Sequence, residues 1–122
     1  MSRILVVDDE PMVAALLADW LEELGHETIG PAYNAASALA MISAGTPDAA
    51  IVDVSLGRET GYPIAERLHK LDVPFAFATG HAEESLSPQF TGRRIIAKPF
   101  DFEALRTVVD EMIGSSIRSQ TS

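Results

Sequence analysis

Four short apolar runs, Ile4–Val7, Ala49–Val54, Val73–Ala78 and Ile95–Ala97, are nearly continuous rather than alternating. A strand with one wet face alternates apolar and polar residues; a strand covered on both faces does not. These runs therefore demand a layer of structure on each side of a sheet. The segments between them supply it. Pro11–Leu24 carries Val13, Leu16, Leu17, Trp20, Leu21 and Leu24 at the spacing of an amphipathic helix, and Gly25 stands where a C-terminal cap belongs. Asn34 is placed to cap a second helix through Ile42, with Gly45 after it. Thr60–Leu71 reads as a third helix, closed off before Pro74, and Asp101 caps a last one, Phe102–Ile113, with Gly114 past its end. His26–Ile29 is a weaker, fifth strand, and Pro88 leaves room only for a short helix within residues 83–92. The order β-α-β-α-β-α-β-(short α)-β-α predicts an α/β domain: a doubly wound, five-stranded parallel sheet with right-handed crossovers.

At 122 residues one domain is expected, spanning 1–114, with a polar, disordered tail over 115–122. Eighteen acidic against nine basic side chains leave a formal charge of −9, which repels nucleic-acid phosphates and anionic lipid. The chain has no cysteine, which excludes disulfides, thiolate metal sites and thiol nucleophiles. Two aspartates follow the first apolar run too soon for a signal peptide, and no apolar run is long enough to span a membrane. A cytoplasmic protein is expected, with no room in this length for an output domain.

Ligands of an open α/β sheet bind outside the carboxyl ends of its strands. The first strand runs into Asp8, Asp9 and Glu10, the third into Asp53, the fourth into Thr79-Gly80 and the last into Lys98-Pro99. Taken singly, each residue has a plainer reading. Asp9 can cap the helix beginning near Pro11, Asp53 can open a turn, Thr79 can be an ordinary strand residue, and Lys98 a solvated lysine. Those readings leave unexplained why all of them fall on one sheet edge. Converging Asp8, Asp9 and Asp53 repel one another unless a cation intervenes, and a few hard oxygen ligands suit Mg²⁺. An ionised Asp53 can then attack phosphorus. The ion, the Lys98 ammonium and the Thr79 hydroxyl can each cover one phosphoryl oxygen. The set fits an aspartyl-phosphate site.

With those residues in view, the sequence resembles the receiver domain of two-component response regulators over residues 3 to 113. The motifs are the Asp8-Asp9 pair after an apolar strand, Asp53 with Gly61 eight residues on, Thr79-Gly80, and Lys98-Pro99-Phe100. The stretch Phe75-Ala76-Phe77-Ala78-Thr79-Gly80 resembles a stand-alone subgroup marked by Phe-Ala-Thr-Gly, although His81-Ala82 replaces the apolar residue and tyrosine that usually follow. The resemblance implies a flavodoxin-like sheet of strand order 2-1-3-4-5. It implies Asp53 as phosphoacceptor, and Thr79 and Lys98 on the phosphoryl oxygens. It also implies Mg²⁺ held by Asp9 directly, by Asp8 through water, by Asp53 and by the backbone carbonyl of Ser55.

Two departures from that pattern bear on the switch. Ile95 occupies the place of an aromatic residue that usually follows the threonine's movement, and Gly57 replaces a proline, so the loop 55–61 is expected to be mobile. No histidine stands out as a phosphoryl donor, so the donor is expected to be a histidine kinase or a histidine phosphotransfer protein. The implied protein is a monomeric or weakly dimeric single-domain response regulator. It is not an enzyme; it either switches contact with an unidentified downstream protein or serves as a phosphate sink. A degenerate receiver acting as a scaffold is the main alternative. A small aspartyl-nucleophile phosphatase is another, but it wants an Asp-x-Asp motif after the first strand, where this chain has an adjacent pair.

Overall fold

The computed structural model describes residues 2–80, 94–98 and 101–121, with 115–121 described by backbone alone. Among the described residues seven strands appear: β1 (Arg3–Val7), β2 (Glu27–Ala32), β3 (Ala49–Asp53), β4 (Ser55–Leu56), β5 (Glu59–Thr60), β6 (Phe75–Thr79) and β7 (Arg94–Ala97). The described helices are α1 (Pro11–Glu23), α2 (Ala35–Ala44), α3 (Tyr62–Lys70) and α4 (Phe102–Thr121). Five strands form one parallel sheet in the order β2-β1-β3-β6-β7. Leaving aside the short β4 and β5, which form their own antiparallel pair, this is the expected order 2-1-3-4-5. The expected short helix within 83–92 lies outside the described residues, as do His81, Pro99 and Phe100.

The continuity of the apolar runs has a simple origin. Successive side chains of a strand point to opposite faces, and here both faces are covered. On one face Leu5, Val7, Ala50, Val52, Phe75 and Phe77 pack against Ala38 and Ile42 of α2 and Ile64 and Leu68 of α3. On the other, Ile4, Val6, Ala49, Ile51, Ala76 and Ala78 meet Leu17 and Leu21 of α1 and Leu105 and Met112 of α4. The ring of Trp20 on α1 meets that of Phe102 on α4 edge-on, centroids 5.8 Å apart. Phe77, at the centre of the first face, makes edge contacts with both Phe75 and Tyr62.

Three boundaries differ from expectation. Strand β2 runs on through Gly30-Pro31 to Ala32, with an irregularity in its pairing to β1. A proline is tolerated there because β2 is an edge strand, where not every N–H needs a partner. Residues 55–60, expected within a loop, form the β4–β5 hairpin, and Gly61 precedes α3. The hairpin's two-residue turn places Gly57 first at φ +77°, the left-handed conformation such turns require. Helix α4 does not stop before Gly114; its backbone continues to Thr121. Gly25 takes the left-handed conformation of a helix cap, whereas Gly114 does not, and an interior glycine costs a helix about 1 kcal/mol without ending it. No described helix is long and apolar enough to cross a membrane.

Candidate acidic site at the sheet edge

The ladder itself assembles the site. In β1, Val7 lies opposite Val52 of β3, so Asp8 follows one strand end beside Asp53 at the next. In turn Asp53 pairs with Ala78, and Thr79 with Ala97. The Lys98 backbone N–H donates to the Thr79 carbonyl at 2.8 Å, continuing the β6–β7 pairing one residue further. Asp8, Asp53 and Thr79 are buried at 0, 4 and 3% exposure. Asp9 is half-buried and Glu10 exposed. Asp9, Asp53, Ser55, Thr79 and Lys98 line one cleft of about 490 Å³.

Backbone donors aim the two buried carboxylates. The Glu10 N–H donates to Asp8 Oδ1 at 2.9 Å, and the Ser55 N–H donates to Asp53 Oδ1 at 3.0 Å. Lys98 Nζ lies 2.9 Å from Asp53 Oδ2, 3.1 Å from Asp8 Oδ2 and 3.6 Å from Glu10 Oε1. Oxygens of Asp8, Asp9, Glu10 and Asp53 all lie within 4.8 Å of one another. Burial raises the Asp53 carboxyl above its usual range; the Lys98 ammonium and the Ser55 N–H pull it back, and the Asp8 charge adds to the rise. For Lys98, burial pulls downward, but the facing Asp53 and Asp8 carboxylates outweigh it and hold the ammonium above its usual value.

The arrangement is short of positive charge. Four carboxylates gather here, and among the described residues the enclosed Asp8 Oδ2 is offset by the Lys98 ammonium at 3.1 Å, which it shares with Asp53 and Glu10. One shared ammonium leaves the buried acids short of positive charge, a deficit that a further cation would relieve. The donors are all oxygens, the set that hard divalent ions take. These residues therefore fit Mg²⁺.

The hairpin shapes the floor. Gly57 brings its backbone over the site: a Cβ built there would lie 3.7 Å from Asp9 Oδ2. Gly61 answers a different need. A Cβ at that position would overlap the Asp53 carbonyl oxygen and crowd Val52, so only glycine lets the chain pass so near the acidic strand end. This is the physical content of the spacing between Asp53 and Gly61.

The structure brings Asp8, Asp9, Asp53, Ser55, Thr79 and Lys98 to one edge. It also decides the plainer reading of Asp9: the residue at the N-cap of α1 is Glu10, and no side chain caps that helix. Ile95 packs with the Phe77 face of the core. Two participants escaped the sequence reading. Glu10, named in sequence only as the last acid after the first strand and given no role, turns toward Lys98. Glu59, on the hairpin, accepts the Ala35 N–H at the start of α2 at 3.0 Å. The acidic run Asp8-Asp9-Glu10 was the available signal for the first; nothing local in sequence announces the second.

Comparison with known proteins agrees with this geometry. The family model described as response regulator receiver domain matches residues 4–110. The sensory transduction protein LytT of Bacillus subtilis (strain 168) is 36% identical over 110 residues, 87% of this chain and 46% of that protein. The chain thus spans about half the length of the curated relatives it matches. The solution structure of SdrG from Sphingomonas melonis Fr1 superposes with a TM-score of 0.82 at 38% identity, covering 93% of this chain and 97% of that one. The BeF3-activated conformation of SdrG, from Pseudomonas melonis Fr1, gives 0.79 at 39% identity over 91% of this chain and 95% of that one. An acidic strand-end site on a sheet of order β2-β1-β3-β6-β7, matched by the family model over most of its length, is that of a signalling module: the chain belongs to the response regulator receiver domains of two-component systems.

Proposed function

We propose that the chain is a single-domain response regulator of the cytoplasm that accepts a phosphoryl group on Asp53. The observation that carries this is the Asp53 carboxylate itself: buried at the end of β3, 2.9 Å from the Lys98 ammonium and inside a cluster of acids. An Asp53 oxygen forms the new O–P bond as the N–P bond of a donor phosphohistidine breaks. The imidazole departs with the electron pair of that bond. The donor is a histidine kinase or a histidine phosphotransfer protein. The Ser55 N–H fixes the second Asp53 oxygen, so the carboxylate meets phosphorus in one orientation. Lys98, held charged by its neighbours, moves its ammonium from Asp53 to a phosphoryl oxygen. The Thr79 hydroxyl takes another. Asp9, Asp53 and the Ser55 carbonyl would hold Mg²⁺ directly and Asp8 through water. The bound ion supplies charge neutralisation for the acids and the incoming phosphoryl oxygens.

That the BeF3-activated conformation of SdrG superposes on this chain supports the reading. The resulting change of surface makes or breaks contact with a downstream protein; the charge of −9 points away from nucleic acid. The test is incubation with Mg²⁺ and acetyl phosphate, read by intact mass. Wild type gains one phosphoryl group and Asp53→Asn gains none. Equal labelling of the two proteins, or none of the wild type in the presence of Mg²⁺, would sink the proposal.

A further inference from the structure

Glu10 is placed in a way that neither helix capping nor ordinary surface pairing explains. It occupies the N-cap position of α1, yet its side chain makes no cap hydrogen bond. Its side chain is 63% exposed, so open solvent was available to the carboxylate. Instead Oε1 lies 3.6 Å from Lys98 Nζ, and a Glu10 oxygen sits within 4.8 Å of oxygens of Asp8, Asp9 and Asp53. An ion pair this exposed adds little to stability. Bringing a fourth carboxylate to three others is unfavourable unless more positive charge is due there. Among the described residues the ammonium at this edge, that of Lys98, is already shared between the buried Asp8 and Asp53 at 3.1 and 2.9 Å, so Glu10 adds negative charge where positive charge is short.

We propose that Glu10 is a fourth charge partner of the divalent ion, a positioning residue that acts across the cleft through water rather than as a direct ligand. The inference rests on the reading of this edge as a Mg²⁺ and aspartyl-phosphate site, and assigns to Glu10 a role in it. The Glu10 side chain is 63% exposed against 18% for Lys98, and its charge has two effects. It raises the local attraction for Mg²⁺, and it draws the ammonium toward the cleft mouth, where an arriving phosphoryl oxygen can meet it. A single charge acting through water over such a distance changes ion affinity by about three- to tenfold at low ionic strength, and salt screens most of that.

The test is a Mg²⁺ titration of the intact chain without any phosphodonor, followed by amide chemical shifts. Glu10→Gln is expected to weaken Mg²⁺ about three- to tenfold in dilute buffer and to differ little from wild type near 1 M salt. Glu10→Asp, which keeps the charge, is expected to recover most of the loss. Melting in EDTA should differ little between wild type and Glu10→Gln, which separates charge from fold. If Glu10→Gln binds Mg²⁺ as wild type does while Asp9→Asn does not, the role of Glu10 is refuted and the metal site stands. If wild type binds no Mg²⁺, the site reading and this inference fall together. If Glu10→Asp is as weak as Glu10→Gln, shape rather than charge is responsible and the proposal fails.

Discussion

A methyl group at Gly61 would occupy space already held by the Asp53 carbonyl oxygen. The φ of Gly61 is −83°, a value any residue adopts, so the constraint is steric and not conformational. Gly61→Ala must push the start of α3 away from β3, the strand that carries Asp53. A loss of about 2–3 kcal/mol in urea unfolding is expected; a variant as stable as wild type would show that the contact relaxes freely. Asp53→Asn should do the opposite in the metal-free protein. Burial, with the Asp8 charge, raises the Asp53 carboxyl despite Lys98 and the Ser55 N–H. The folded state therefore binds that proton more tightly than the unfolded one. Stability from this group is present at low pH and lost as pH climbs past the ordinary carboxylate value through the raised one. At neutral pH the ionised Asp53 is a net cost, which the amide removes. In EDTA, Asp53→Asn is expected to melt a few degrees above wild type. A lower melting temperature would mean that the Lys98 ion pair outweighs desolvation.

The helices and strands show which physical signals a sequence carries in plain form. Runs buried on both faces announced β1, β3 and β6 because their two-sided burial leaves no alternation to obscure them. Asn34 and Asp101 announced helix starts because capping is local chemistry: they accept the Ser37 and Ala104 N–H groups at 2.8 Å each. The acids at the strand ends were legible because a parallel sheet brings every carboxyl end to one edge. The β4–β5 hairpin was not. Its strands are two residues long, too short for any periodicity, and Gly57 signals a left-handed turn and a mobile loop equally well. The end of α4 was missed because glycine beyond a periodic run is as compatible with an interior residue as with a cap. The hairpin's link to α2 is a tertiary contact that no local pattern encodes. The Glu59 carboxylate accepts the Ala35 N–H and places negative charge at the positive end of that helix. Glu59→Gln is expected to cost about 0.5–1 kcal/mol, and to speed hydrogen exchange at Ala35 more than at the centre of α2. Uniform exchange along the helix would show that the contact is not formed in solution.

At the scale of the whole molecule, the fold and the site pull in opposite directions. Both faces of the sheet bury apolar side chains, with α1 and α4 on one side and α2 and α3 on the other. That packing holds the strand ends in register whether or not the acids placed there attract one another. Without the ion they do not: among the described residues four carboxylates gather at the one ammonium of Lys98, in a chain whose net charge is already −9. The core therefore sustains a strained electrostatic arrangement, and any cation that binds only the folded state relieves it and stabilises the entire domain. At a Mg²⁺ concentration ten times its dissociation constant, linkage predicts a gain of about 1.4 kcal/mol, or about 5 °C in melting temperature for a domain of this size. The gain should shrink sharply in Asp9→Asn and Asp53→Asn, which remove charge from the cluster, and persist in a distant acidic variant such as Glu111→Gln, whose carboxylate pairs with Arg94 instead. Calorimetry in EDTA and in Mg²⁺ separates these cases. An equal Mg²⁺ effect on all four proteins would assign it to general screening of an acidic chain rather than to the strand-end site.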